Sequence, residues 1–332
     1  EDLFQPLRNI DRAKVMQFIT AWAMLEVGVL LQNKLVPMIW QGNPANDVGT
    51  GYQEFPGLDI LISKNKVDAH TGTRCESLDS FVQDFGYQGL NAVDANGNFI
   101  IVRWIEAMEA YLYHTAERQG LQPTEWVFVM RPELWSELSK FWPIAYLTTR
   151  NIVLPSGTAL NLDAARVREM LDAMRGGMYL DVNGRRHRVI TDDGIYEYNS
   201  TNDTNVPAGS FASNIYLVPL TFLGNRPATY LQYLDYRAIM PETTLAHAQD
   251  AYWTDAGRFL WTVERNKWCY TLSGKIQPRV VLRTPQLAGR IDHVLYSPVQ
   301  HFKEPWPGGP YYVKGGVDSR STPSLYADWN LP

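Results

Sequence analysis

The apolar positions of the chain repeat with a helical period in some stretches and form short continuous runs in others. The clearest helical stretch covers residues 99–118, and Gly120 and Pro123 follow it as end signals. Apolar residues recur there at spacings of three or four, namely Ile101, Ile105, Met108, Leu112 and Ala116. This spacing predicts an amphipathic helix with one buried face.

A second predicted helix begins near Asp11 and ends near Leu35, because Pro37 lies just beyond that point. Residues 15–31 are apolar on nearly every side of this helix. This stretch is shorter than the roughly 20 residues that a membrane-spanning helix needs, and the charge of Glu26 would be costly inside a bilayer. We therefore expect no membrane span, and a helix buried between other elements or between subunits.

Short apolar runs and turn signals predict strands in the middle of the chain. Residues 126–130 form a continuous apolar run typical of a buried strand, and Pro132 directly after it favours the start of a helix. Asn183-Gly184 lies between two alternating segments, a pattern that indicates a β-hairpin. Helices combined with antiparallel strands in this order predict an α+β fold.

Three stretches do not have the pattern of a self-contained core. Residues 40–57 lack periodicity, residues 58–85 are predicted as a two-stranded projection whose first strand is 58–62, and the chain beyond Pro298 is rich in Pro, Gly and aromatic rings. Arms of this kind bury apolar side chains on another chain, although the tail could also wrap its own domain. The predicted intersubunit contacts are Trp22, Leu58, Ile60, Ile62, Lys64, Lys66, Trp306, Tyr311 and Tyr312.

Composition limits the classes of partner. Hydrophobic residues make up 45% of the chain, charged residues 20%, and the net charge is -5. A protein that reads DNA sequence usually carries a basic excess or stripe, so we expect any nucleic acid to be contained and not read. The two cysteines, Cys75 and Cys269, fit no metal-binding spacing, and a reducing cytoplasm is the default expectation.

The sequence offers no strong catalytic, cofactor or metal motif. The six histidines are scattered without metal-binding spacing, and neither a nucleophile elbow nor a phosphate-binding loop occurs. Asp192-Asp193-Gly194 could be a carboxylate pair, but an ordinary turn is the favoured interpretation. The content of 11 Trp and 18 Tyr suits a carbohydrate cleft or a large protein interface.

Several segments together resemble the Hong Kong 97-type major capsid proteins of tailed bacteriophages. The resemblance is carried by GLDILI at 57–62 with VDAHTG at 67–72, WVFVMRPEL at 126–134, MRGGMYLDVNG at 174–184 and GSFASNIY at 209–216. It implies a capsid fold with an N-terminal arm, an extended two-stranded loop, a peripheral domain with a long spine helix that begins at Phe99, and an axial domain. Assigned by residue, the parts are 1–57 for the arm and first helix, 58–90 for the loop, 91–125 with 251–300 for the peripheral domain, 126–250 for the axial domain and 301–332 for the extended tail.

The resemblance also implies partners and a location. The chain would assemble with itself into pentamers and hexamers of an icosahedral shell around double-stranded DNA, in the host cytoplasm first and then in the virion. A portal, a scaffold or leader segment, a maturation protease and a decoration protein would be its other partners, and no enzymatic activity is expected. The alternatives are an encapsulin-type nanocompartment shell, a carbohydrate-active enzyme, and a tail or baseplate protein that would form rings or tubes. A further expectation is that a chain lacking residues 58–85 folds but cannot form shells.

Overall fold

The computed structural model describes residues 12–46, 54–68, 70–121, 123–149, 164–222, 224–239, 251–254, 257–266 and 269–297. Two compact units are present, and each consists of two stretches of the chain. The first unit contains residues 1–57 with Leu231–Val281, and the second contains Leu58–Tyr230 with 282–332. The mixture of helices and sheets confirms the predicted α+β class.

The helices of the described residues lie mostly in the first two thirds of the chain. They are α1 (Arg12–Gln41), α2 (Leu58–Leu61), α3 (Ile100–Gln119), α4 (Pro132–Thr149), α5 (Ala164–Gly177) and α6 (Tyr236–Ile239). The strands are β1 (Phe81–Asp84), β2 (Pro123–Met130), β3 (Tyr179–Val182), β4 (Arg185–Thr191), β5 (Glu197–Asn199), β6 (Phe211–Phe222), β7 (Arg226–Pro227), β8 (Thr229–Tyr233), β9 (Ala251–Thr254), β10 (Phe259–Asn266), β11 (Cys269–Lys275), β12 (Pro278–Leu282) and β13 (Gly289–Tyr296).

The second unit is built on a mixed sheet. Its strands follow the order β1-β13-β6-β2-β4-β3, and β5 and β7 pair with the ends of β6. The pairs β1–β13 and β2–β4 are parallel, so the predicted antiparallel sheet is in fact a mixed sheet. The chain between β2 and β4 contains α4 and α5, and a crossover of this length is what allows two strands to run parallel.

The core of this unit lies between α3 and the sheet. The predicted buried face of α3 is confirmed, since Ile101, Ile105, Met108, Leu112 and Ala116 are fully buried. These side chains share one hydrophobic cluster with residues from β2, β6 and β13. The predicted helix end is also confirmed, because Gly120 adopts a left-handed conformation (φ 63°) and its N–H binds the last carbonyls of α3.

The predicted hairpin is present as β3 and β4. Asn183 and Gly184 have φ angles of 49° and 78°, which is the conformation that a two-residue turn of this type requires. β3 pairs with β4 in antiparallel register, from Val182 opposite Arg185 to Tyr179 opposite Arg188. The turn sequence therefore predicted both the position and the type of this connection.

The predicted strand at 58–62 is wrong. Leu58–Leu61 is a short helix, α2, and the Ile62 N–H binds the Leu58 carbonyl oxygen at 2.8 Å. The predicted second arm pairs with β13 as strand β1, and within 58–80 the described pairing is one bridge between Val67 and Arg74. A five-residue apolar run has too few positions to separate a helical period from a strand, which explains the error.

The predicted division into peripheral and axial parts stays a prediction. The strands β2 and β6 fall in the predicted axial part and β13 in the predicted peripheral part, and all three belong to a single sheet. The hydrogen bonds between β6 and β13 join residues that are far apart in the sequence, and no local pattern encodes such a pairing.

The first unit contains α1 and the three-stranded antiparallel sheet β9-β10-β11. α1 packs against β11 and continues to Gln41, so the predicted end near Leu35 is wrong. Pro37 lies inside the helix, where it removes one N–H donor without stopping the chain from continuing in helical form. Asp11, near which this helix is predicted to begin, lies outside the described residues. Among those residues no helix is long and apolar enough to cross a membrane.

Candidate assembly surface

Helix α1 exposes a row of large apolar side chains. Trp22, Leu25 and Leu30 are 62%, 66% and 61% exposed, and Val29 is half exposed. Trp22, Leu25 and Val29 follow one another at intervals of three and four, so they lie on one face of the helix. Burying a side chain of this kind is worth about 1.5–3 kcal/mol, so a surface that covers this row would gain several such contributions.

The predicted contact residue Trp22 belongs to this row. Whether it contacts a neighbouring subunit stays a prediction. Its neighbour Glu26 is also exposed, and it places a single carboxylate within an otherwise apolar face. We call the set Trp22, Leu25, Val29 and Leu30 the α1 face.

The segment that begins at Leu58 is more buried than the predicted projection would be. Leu58 and Ile62 are buried, with 4% and 0% of their surface exposed, so the folded chain leaves these two predicted contacts almost no surface to offer a neighbour. Ile60 is 39% exposed on the opposite side of α2. Val67 and Leu78 are exposed as well. Among the described residues of 58–79, the exposed large apolar side chains are therefore Ile60, Val67 and Leu78, and the strand prediction identified Ile60.

A polar cluster anchors α2 to the sheet of its own unit. The Tyr216 hydroxyl from β6 donates to the Asp59 carboxylate, and Arg290 from β13 donates to the Asp59 carbonyl oxygen at 2.8 Å. Arg290 also pairs with Asp292 at 2.6 Å. Burial raises the pKa of both Asp59 and Asp292, and Arg290 opposes that effect at each carboxylate. The segment is thus attached to the core by buried polar contacts as well as by Leu58 and Ile62.

The two predicted contact lysines have separate environments. Lys64 is exposed, whereas Lys66 is half-buried and donates to the Leu61 carbonyl oxygen at 2.6 Å, close to the end of α2. Burial lowers the pKa of Lys66, and the carboxylate of Asp79 partly offsets this effect. Lys66 therefore holds the loop of its own chain, and Lys64 is the lysine that a partner could reach.

Helix α3 carries a buried carboxylate that was not predicted from the sequence. Glu109 is fully buried, and it accepts hydrogen bonds from Asn183 at 2.8 Å and from Arg185 at 3.0 Å. His187 lies 3.4 Å from the same carboxylate. Burial alone would raise the pKa of Glu109, but the hydrogen bonds from His187, Asn183 and Arg185 outweigh it and hold the pKa below its usual value. These contacts join the hairpin turn to α3. The sequence signal for them is a glutamate on the apolar face of the predicted helix, three residues before Leu112.

The Asp192-Asp193-Gly194 segment is a turn, which is the interpretation that the sequence favours over a carboxylate pair. The Gly194 N–H binds the Asp192 carboxylate at 2.8 Å. The buried guanidinium of Arg131 donates to the carbonyl oxygens of Asp193 and Ile195 at 3.0 and 2.6 Å. Arg131 thereby fixes the backbone of this turn. In the described part of the chain, no group of three or more His, Cys, Asp or Glu side chains could hold a metal ion.

The remaining predicted contacts, Trp306, Tyr311 and Tyr312, lie outside the described residues. The sequence matches no protein-family model and no curated protein. The candidate surface is therefore defined by exposure and chemistry on this chain: the α1 face in the first unit, and Ile60, Val67, Leu78 and Lys64 in the second.

Proposed function

We propose that the chain is a major capsid protein with a Hong Kong 97-type fold, which assembles through pentamers and hexamers into an icosahedral shell around double-stranded DNA. The observation that carries the proposal is the α1 face, a row of exposed large apolar side chains on a helix of 30 residues. Such a helix is about 45 Å long, enough to extend across the surface of a neighbouring subunit.

Other features support the same role. The second unit combines a long helix, a sheet and a hairpin around one hydrophobic core, while its exposed apolar residues lie outside that core. A shell subunit gains stability from many contacts of moderate strength, so several separate apolar patches suit it better than one cleft. The net charge of -5 limits adhesion to the enclosed DNA.

The test compares two leucine substitutions. We expect the unaltered protein to elute as large particles on size exclusion and to show closed shells by negative-stain electron microscopy. Leu25→Asp places a charge in the α1 face, and we expect it to reduce the particle fraction at least about tenfold, since one lost apolar contact per subunit is multiplied over many interfaces. Leu121→Asp also charges an exposed leucine, but this residue belongs to the second unit and is not part of the α1 face, so the variant should assemble normally.

Circular dichroism and thermal unfolding establish that both variants are folded. A chain that stays monomeric at high concentration would contradict the proposal, and so would equal assembly of the Leu25→Asp and Leu121→Asp variants. Particles that contain a protein cargo and no nucleic acid would favour the encapsulin-type compartment instead.

A further inference from the structure

The first unit contains a groove that the proposed function does not use. Its volume is about 780 Å³, and it lies between the C-terminal half of α1, residues 54–56 and residues 274–279. This volume is within the range of about 300–1,000 Å³ that is usual for binding pockets.

The groove has an apolar floor and a charged rim. Leu35, Met38, Phe55 and Ile276 line the floor, and each is only partly buried by the described residues. The prolines 56 and 278 add flat apolar surfaces beside them. The partly exposed floor can therefore accept further apolar groups.

The rim carries three cations, Lys34, Lys275 and Arg279, and one carboxylate, Glu54. Ammonium and guanidinium groups bind favourably over the faces of Trp and Tyr rings. Extended proline-rich peptides bind grooves lined by apolar and aromatic residues, because proline restricts the free peptide and lowers the entropy lost on binding. The chemistry of the groove therefore suits a peptide that contains proline, Trp and Tyr.

The chain itself supplies such a peptide. Residues 305–312 read PWPGGPYY and contain three prolines, one Trp and two Tyr without any charged side chain. They belong to the stretch 298–332, which follows Ser297, the last described residue. An extended stretch of that length covers roughly 110 Å, enough to reach a groove on the same chain or on a neighbouring copy.

We propose that residues 305–312 bind in this groove, with Trp306 inserted among Leu35, Met38 and Phe55 and with the rim cations over Tyr311 and Tyr312. The proposal assigns the C-terminal tail a specific docking site. It does not depend on the capsid proposal, because the same segment and groove are present in a monomer.

The test uses the full-length chain with a photoreactive benzoylphenylalanine in place of Trp306. After irradiation, we expect mass spectrometry to locate most adducts in residues 31–38, 54–56 and 274–279. The same probe in place of Tyr326 provides the positional control and should label the groove much less. Mixing isotopically heavy and light chains shows whether the tail comes from the same chain or a second copy, and both arrangements satisfy the proposal.

Two substitutions make the test specific. Met38→Asp puts a charge on the groove floor, and adducts in the groove should fall about tenfold, as expected for loss of roughly 1.4 kcal/mol of binding. Met170→Asp changes an exposed methionine on α5 in the other unit and should leave the adducts unchanged. An excess of free peptide covering residues 303–314 should compete with the probe in the unaltered chain, which keeps the test valid if Met38→Asp does not fold.

Adducts located mainly outside the groove, or adducts that neither Met38→Asp nor the free peptide reduces, would overturn the proposal. A monomeric chain that still gives groove adducts would defeat the capsid proposal and leave this one standing.

Discussion

Glu109 shows how one buried charge can fix the position of a turn. The carboxylate lies on α3, and three polar side chains from the hairpin approach it, namely Asn183, Arg185 and His187. Arg185 also stacks on the ring of Tyr113, 3.6 Å from its centroid. A buried charge is tolerated only when hydrogen bonds replace its lost water, so the hairpin must occupy this one position on the helix.

We expect Glu109→Gln to lower the free energy of unfolding by about 1–3 kcal/mol at neutral pH, since three polar partners lose a charged acceptor. The pKa of Glu109 is held below its usual value in the folded chain. Its contribution is therefore complete above the pKa of the unfolded chain and is lost as pH falls through the lower, folded value. Urea unfolding between about pH 6 and about pH 3 should show the two proteins converging in stability.

The control for this prediction is Asp181→Asn on the same hairpin. Asp181 pairs with Arg186 on the surface, where both side chains are about half exposed, so the change should cost less than about 1 kcal/mol. A gap between Glu109→Gln and the unaltered chain that stays constant with pH would contradict the assigned role of the carboxylate.

The short helix α2 illustrates what a five-residue pattern can and cannot specify. In a strand, Leu58, Ile60 and Ile62 would share one face, whereas in a helix Leu58 and Ile62 share a face and Ile60 points away. The structure follows the helical arrangement: Leu58 and Ile62 are buried, and Ile60 is partly exposed. The apolar residues alone fit either arrangement, and the folded chain adopts the one in which Asp59 contacts Tyr216 and Arg290.

Because Ile62 is buried and Ile60 is partly exposed, truncating the two side chains should have unequal costs. Ile62→Ala should lower the free energy of unfolding by about 2–4 kcal/mol, because it leaves a cavity in a fully packed site. Ile60→Ala should cost less than about 1 kcal/mol, because that side chain is already partly in water. Urea denaturation of both variants tests the arrangement, and equal losses would support the strand instead.

The same contacts change the expectation for a chain without residues 58–85. That deletion would remove β1 from the sheet and uncover Tyr216 and Arg290, so we now expect it to impair folding as well as assembly.

Elements with strong local signals were predicted well. The long run of apolar positions in α3 and the Asn183-Gly184 turn each contain enough local information to specify their structure. α1 was predicted too short, because Pro37 is a stop signal in isolation and is tolerated within a helix that continues to the buried Trp40. How well each element could be predicted depends on how much of its stability comes from contacts with residues far away in the sequence.

At the scale of the whole molecule, the sheet of the second unit determines the organisation. β13 comes from the end of the described chain and pairs with both β1 and β6. No strand was predicted over these residues, and nothing in the local sequence shows which strands they would join. The exposed contacts were equally hard to predict, because an exposed apolar side chain and a buried one look the same in the sequence.

The net charge of the molecule should prevent isolated chains from binding DNA. With a charge of -5, an isolated chain lacks the basic excess that drives DNA binding by counterion release, whereas the proposed shell would retain DNA by enclosing it. We expect fluorescence anisotropy to show no binding of a short duplex by dissociated subunits, with a dissociation constant weaker than about 10⁻⁴ M at physiological salt. Intact particles should nevertheless protect long DNA from nuclease. Tight binding by free subunits that weakens steeply with salt would contradict passive enclosure and point to a basic surface on the chain.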